Sequence, residues 1–187
     1  MKVIELSIPG AYLMESPVWG DDRGFFREWF QLPDLESAGL RFPAQQANLS
    51  TSKRNVVRGL HYSIAPKGQA KIVTCVHGEL DDVIVDIRVG SPAFGSYEIV
   101  HLGADEGRSV FLPPGVAHGF SVSSDSGVIC YLLSTPFNAP LELEINPFDE
   151  ELNVMWPLSA EPIVSEKDKN APTLAQRKAT GELPAFG

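Results

Sequence analysis

Four side chains of this 187-residue chain could move a proton beside a carbonyl group. His61 lies in Arg58-Gly59-Leu60-His61-Tyr62, where a glycine permits close backbone approach. Imidazole is the side chain best matched to proton transfer near neutral pH. His118 follows the turn Pro113-Pro114-Gly115-Val116-Ala117 and precedes Gly119, so a stiff loop presents it at a strand start. Lys71 opens the apolar run Ile72-Val73-Thr74-Cys75-Val76. That is an unusual place for a charge unless it points into a cavity, where an ammonium stabilises a developing oxyanion. Tyr131 shares a strand face with Ile129 and Leu133 and offers a phenol that gives or takes a proton. Each residue also has a plain structural role: hydrogen-bonded histidines, a strand-end lysine, a core tyrosine. Together, a base, an oxyanion stabiliser and a phenolic acid read as deprotonation next to a ketone with return of the proton to the opposite face, which is the logic of an epimerase.

The elements that must position these groups read as strands. Sixteen glycines and 15 prolines are scattered among short apolar segments, the pattern of many strands joined by tight turns. In Asp82 to Arg88, Val83, Val85 and Ile87 share one face, and Asp82, Ile84, Asp86 and Arg88 the other. That polar face needs solvent or a polar cavity. Lys71 to Val76 reads as a second strand ending in His77-Gly78-Glu79, Val110 to Leu112 as a third stopped by Pro113-Pro114-Gly115, and Gly127 to Ser134 as a fourth. Strands about ten residues apart suit a sandwich or jelly roll rather than βαβ units. The spacing predicts short helices over Pro33 to Gly39 and Pro172 to Thr180, the latter with proline early and Gly181 just past its end. With no repeat or linker visible, residues 1–187 read as one domain.

Two histidines on short strands could instead hold a metal, as in metal-dependent cupins. However, Tyr62 and Ser63 follow His61 where those proteins place a second histidine, and Lys71 would repel a cation. The expectation is therefore a pocket without metal or other cofactor. A net charge of −9 argues against a nucleic-acid partner, while a local cluster of Arg and Lys can still take an anionic small molecule. Glu5 and Pro9 interrupt any secretory apolar run, and no later stretch approaches the roughly 20 apolar residues of a membrane span. The chain reads as cytoplasmic. Its two cysteines, Cys75 and Cys130, read as small core residues rather than a redox or zinc motif.

In order along the chain, Asp22-Arg23-Gly24-Phe25-Phe26-Arg27-Glu28, Gln46-Ala47-Asn48-Leu49-Ser50, Arg58 to Tyr62, Asp82 to Arg88, Pro114 to Phe120, Trp156-Pro157 and Ser165-Glu166-Lys167-Asp168 resemble the dTDP-4-dehydrorhamnose 3,5-epimerase family. The resemblance implies an all-β, cupin-type jelly roll (a double-stranded β-helix) with a few short helices, one near the C-terminus. It implies a metal-free homodimer acting on a dTDP-sugar, whose site borrows residues from the partner's N-terminal region. His61 would be the base that removes protons at C3 and C5 of a 4-keto-6-deoxyhexose, and Asp168 would hold its tautomer. Tyr131 would be the acid on the opposite face and Lys71 the stabiliser of the C4 enolate oxygen. The resemblance places Arg23, Phe26, Glu28, Gln46, Asn48, Arg58, His118, Glu142 and Lys167 around the nucleotide and sugar, where Arg suits a diphosphate and the amides and carboxylates suit a base edge or hydroxyls. Arg23 and Glu28, five positions apart, would fall on opposite faces of one regular strand. Two departures from the family pattern stand out: Phe137 occupies a position that often carries a second tyrosine, and Ser63 one where glutamine is common. An enzyme inverting only C3 or only C5 is therefore the nearest alternative, and a metal-dependent cupin using His61 and His118 the alternative from another class.

Overall fold

Period-two alternation resolves into strands in a computed structural model that describes residues 1–66 and 68–187. In chain order these are β1 (Lys2–Glu5), β2 (Tyr12–Glu15), β3 (Val18–Asp21), β4 (Gly24–Arg27), β5 (Gln46–Lys53), β6 (Val57–Ser63), β7 (Lys71–His77), β8 (Glu79–Asp86), β9 (Tyr97–Gly103), β10 (Arg108–Leu112), β11 (Val116–Val122), β12 (Ser126–Leu133) and β13 (Glu142–Glu144). One sheet runs β1-β2-β10-β7-β12-β5, the other β13-β6-β11-β8-β9, and β3 and β4 pair as a separate hairpin. From β5 to β13 successive strands cross between the two sheets, except β8 and β9, which pair as neighbours, and this makes the expected cupin-type jelly roll.

The inner faces pack Val73, Cys75, Ile84, Val110, Leu112, Phe120 and Ile129 into a shared core. Val83, Val85 and Ile87 point the other way, as their alternation predicts, and are covered with Leu60, Tyr62 and Leu174 on the outer face of the smaller sheet. Helix α1 (Leu32–Ser37) sets Leu35 against Ile72 and Phe111 on the outer face of the larger sheet. The two short helices beyond β13 are α2 (Glu166–Lys169) and α3 (Leu174–Ala179). Thr173 and Gln176 close a capping box on α3, so Pro172 lies just before the cap and not inside the first turn. Cys75 is buried as expected. Cys130 points to the outer face of its strand and is half-buried, because the inward side of β12 belongs to Ile129, Tyr131 and Leu133. None of the described helices is long and apolar enough to cross a membrane.

The polar face of β8 meets the cavity it required. Asp82 is fully buried against His118, and Asp86 is buried with Arg88 and Ser91. His118 and His61 are register partners across β11 and β6, and the register shifts between His118 and Phe120. At that shift the backbones touch. A Cβ on Gly59 would lie 2.5 Å from Gly119 Cα, and Gly59 has φ +133°. Both strain and overlap involve backbone that cannot rotate away. Gly59→Ala is expected to destabilise the protein by about 3 kcal/mol and to lower Tm by roughly 10 °C in thermal unfolding.

Candidate active site

The cleft opens between the sheets at one end of the sandwich. Two adjoining chambers, of about 170 and 180 Å³, share His61, Lys71 and Tyr131 in their walls. His61 comes from β6 in the smaller sheet; Lys71 and Tyr131 come from β7 and β12 in the larger. Alternation puts them there: Leu133 opposes Lys71 and Tyr131 opposes Val73, so all four share the inner face. On the other side of β12, Tyr131 opposes Asn48 of β5, whose residues Gln46, Asn48, Ser50 and Ser52 are all turned inward.

Asp168 arrives from α2. A helix of four residues does not hold itself, and this one is fastened at several points: Ser165 Oγ accepts from Asp168 N at 3.0 Å, Lys167 Nζ pairs with Glu144 at 2.9 Å, and Asn146 donates to Lys169 O at 3.0 Å. The result is a contact of 2.7 Å between Asp168 Oδ1 and His61 Nε2. Burial works to raise the Asp168 carboxyl. Hydrogen bonds from His61, the Gly59 amide and Ser165, with the charge of His61, outweigh it and hold the group below the ordinary carboxylate range. An ionised Asp168 accepts the proton of Nε2, which leaves Nδ1 of His61 as the free base.

Lys71 is 7% exposed. Burial drives its ammonium below the usual lysine value, against the opposing pull of Glu142 and Asp82. His118 is also lowered, by burial first and then by the charges of Lys71 and His61, so it stays neutral at pH 7 with Nδ1 3.1 Å from Asp82. Among the described residues no three His, Cys, Asp or Glu side chains gather as metal ligands; His61 and His118 turn to two different carboxylates.

The remaining expected residues divide into two groups. Asn48, Glu142 and Lys167 line the chamber beside Phe137, while Arg58 and His118 line the other. Gln46 stands behind this wall, donating to Asn48 Oδ1 at 2.9 Å and accepting from the Phe137 amide at 2.8 Å. Arg23, Phe26 and Glu28 are not brought into this cleft. Arg23 pairs with Asp21 at the tip of the β3–β4 hairpin, Phe26 is 63% exposed and stacked on Trp19, and Glu28 accepts from Gln31 at the hairpin's base. The three do not occupy one strand, because Arg23 is in the turn and Glu28 follows β4. Sequence reading missed Ser50 and Gln69 in the walls. Both stand two positions from a residue it named, Asn48 and Lys71, and period two was the available signal.

A histidine held by a carboxylate, facing a phenol and an ammonium across one cleft, suits proton transfer, as in an isomerase built on a cupin scaffold. The chain belongs to the dTDP-4-dehydrorhamnose 3,5-epimerase family, whose pattern matches residues 5–176. A dTDP-4-dehydrorhamnose 3,5-epimerase of Mycolicibacterium smegmatis is 42% identical over 187 residues, 100% of this chain and 92% of the relative. A dTDP-4-dehydro-6-deoxyglucose 3-epimerase of a Streptomyces species is 41% identical over 182 residues, 97% of this chain and 93% of the relative. Among solved structures, ChmJ, a 3'-monoepimerase from Streptomyces bikiniensis in complex with dTDP-quinovose, is similar with a TM-score of 0.93 at 40% identity, over 97% of this chain and 92% of that one.

The lowered carboxyl of Asp168 has a consequence for stability. Its contribution is complete above the unfolded pKa of about 3.9 and is lost as pH falls through the lower folded value. Asp168→Asn is expected to melt below the native protein at pH 7, with the gap closing under about pH 4.

Proposed function

We propose that the protein epimerises C3 and C5 of dTDP-4-keto-6-deoxyglucose, in the cytoplasm and as a homodimer. The observation that carries this reading is the His61–Asp168 pair on one sheet, sharing a cleft with Tyr131 and Lys71 on the other. His61 Nδ1 takes the proton from the carbon next to the ketone, and the C–H electron pair moves into an enolate whose oxygen faces the Lys71 ammonium. Tyr131 then delivers its phenolic proton to the other face of that carbon, and the electron pair returns from the oxygen. Solvent takes the proton from His61 and restores that of Tyr131, so the sugar keeps its composition and only its configuration changes. Arg58 and Lys167 supply local positive charge for a diphosphate in a chain of net charge −9.

Arg23, Phe26 and Glu28 have no part in the cleft of their own chain, and a hairpin bearing exposed Trp19, Phe25 and Phe26 suits insertion into a second copy. The same reading treats residues 1–187 as one domain. A narrower reaction, inversion at C3 alone, is favoured by Phe137, which lines the chamber next to Tyr131 without a hydroxyl.

Proton NMR in D2O follows exchange and inversion at C3 and C5 separately. Loss of both hydrogens with inversion at both carbons is the expected result; inversion at C3 alone selects the narrower reaction. His61→Ala is expected to abolish exchange everywhere, while Tyr131→Phe retains exchange and loses inversion. Turnover that depends on stoichiometric bound metal would overturn the proton-transfer assignment in favour of a metal cupin. The shared site is tested by mixing: a variant lacking Arg23 and Phe26 side chains and the His61→Ala variant, each inactive alone, are expected to regain about one quarter of native activity when co-expressed, because a mixed dimer rebuilds one intact site. No recovery would confine the site to one chain.

A further inference from the structure

Gln69 stands two positions before Lys71, just ahead of β7, and both side chains line the cleft. Gln69 is 4% exposed. Its Nε2 donates to the carbonyl of Thr135 at 3.4 Å and to Glu142 Oε1 at 3.2 Å. A carbonyl and a carboxylate can only accept, which fixes the orientation of the amide. The remaining atom, Gln69 Oε1, is buried and without a partner among the described residues. A buried carbonyl left in that state is costly, and such an atom marks a place for a missing donor. Glu142 adds to it. Its Oε1 also accepts from Ser63 at 3.1 Å, the two residues being directly opposed across β13 and β6, and its Oε2 has no partner among the described residues.

The wall beside Lys71 thus presents acceptors and asks for a donor. A ketone oxygen or a phosphate oxygen accepts only and is refused there; a hydroxyl group donates and fits. Resting on the hexose reading above, we propose that Gln69, together with Glu142, forms a subsite that accepts a hydrogen bond from a hydroxyl of the sugar, which makes Gln69 a specificity-determining residue. The hydroxyl sits on C2 or C3, the two ring carbons of a 4-keto-6-deoxyhexose that carry a free hydroxyl. Ser63 has its own part here, as the donor that holds Glu142 in position.

The test measures kcat/KM for solvent deuterium uptake next to the ketone with dTDP-4-keto-6-deoxyglucose and with its 2-deoxy and 3-deoxy analogues. The native enzyme is expected to disfavour one analogue by about 30-fold, because an unmet buried acceptor rejects a ligand that lacks the hydroxyl. Which analogue suffers identifies the hydroxyl. Gln69→Met, close in size but without the carbonyl, is expected to lose most of that preference while binding dTDP as before. Gln69→Asn, which withdraws the amide by one methylene, serves as the second variant should the first not fold, with the same loss expected. Equal rates for all three sugars in the native enzyme, as a resident water at Gln69 would give, overturn the subsite. An undiminished preference in both folded variants also overturns it. No uptake from the parent sugar by the native enzyme would instead overturn the hexose reading, and the subsite with it.

Discussion

Lys71 and Asp82 are ionisable groups buried between two sheets, and desolvating them is the constraint to which the rest of the cleft answers. Burial weakens the hold of Lys71 on its proton. Glu142 and Asp82 oppose the loss, and Asp82 in turn takes the Nδ1 proton of His118. His118, caught between Lys71, His61 and its own burial, stays neutral. The neighbouring charges therefore settle one another: one cation is left facing the open chamber, and the second histidine is fixed as an uncharged wall. Catalysis by electrostatic preorganisation needs this kind of prior arrangement, because dipoles that must turn during the reaction add to its barrier.

The two groups proposed to transfer protons have different supports. Tyr131 rides on β12, second from the edge of its sheet and flanked on both sides by ladder partners, so sheet register sets its position. His61 likewise lies between ladder partners, on β11 and β13, but the orientation of its ring depends on Asp168, whose short helix is tied down by side chains rather than by its own length. Register alone thus places the proposed acid, while the proposed base needs register and a tertiary contact together. The glycine pair at Gly59 and Gly119 belongs to the same assembly, since it lets β6 approach β11 where the ladder changes register.

Much of this could be read from residue order because a strand declares its faces two residues at a time. The inward set Ile129, Tyr131 and Leu133, the outward set Val83, Val85 and Ile87, and the odd position of Lys71 at the start of an apolar strand were all legible in that way. The family pattern supplied Asp168, which periodicity could not, for a four-residue helix has no period to detect. Arg23, Phe26 and Glu28 show the opposite limit. Residue type marks them as suited to bind a nucleotide, but a hairpin standing off the sandwich takes them away from His61, and no local signal encodes that direction. Gln69 escaped notice because a polar residue before a strand reads as loop, and only its buried, unmatched carbonyl sets it apart.

The hydrogen bond between His61 and Asp168 spans 107 positions of chain. Ladders of the sandwich reach nearly as far, Tyr12 lying opposite Phe111, and a jelly roll has few local contacts to hasten either kind of pairing. What sets Asp168 apart is that it follows the last strand, which ends at Glu144, so the sandwich can acquire its ladders before His61 acquires its partner. Structure and catalytic competence become separate events in time, and a chain caught between them would be largely folded yet chemically silent.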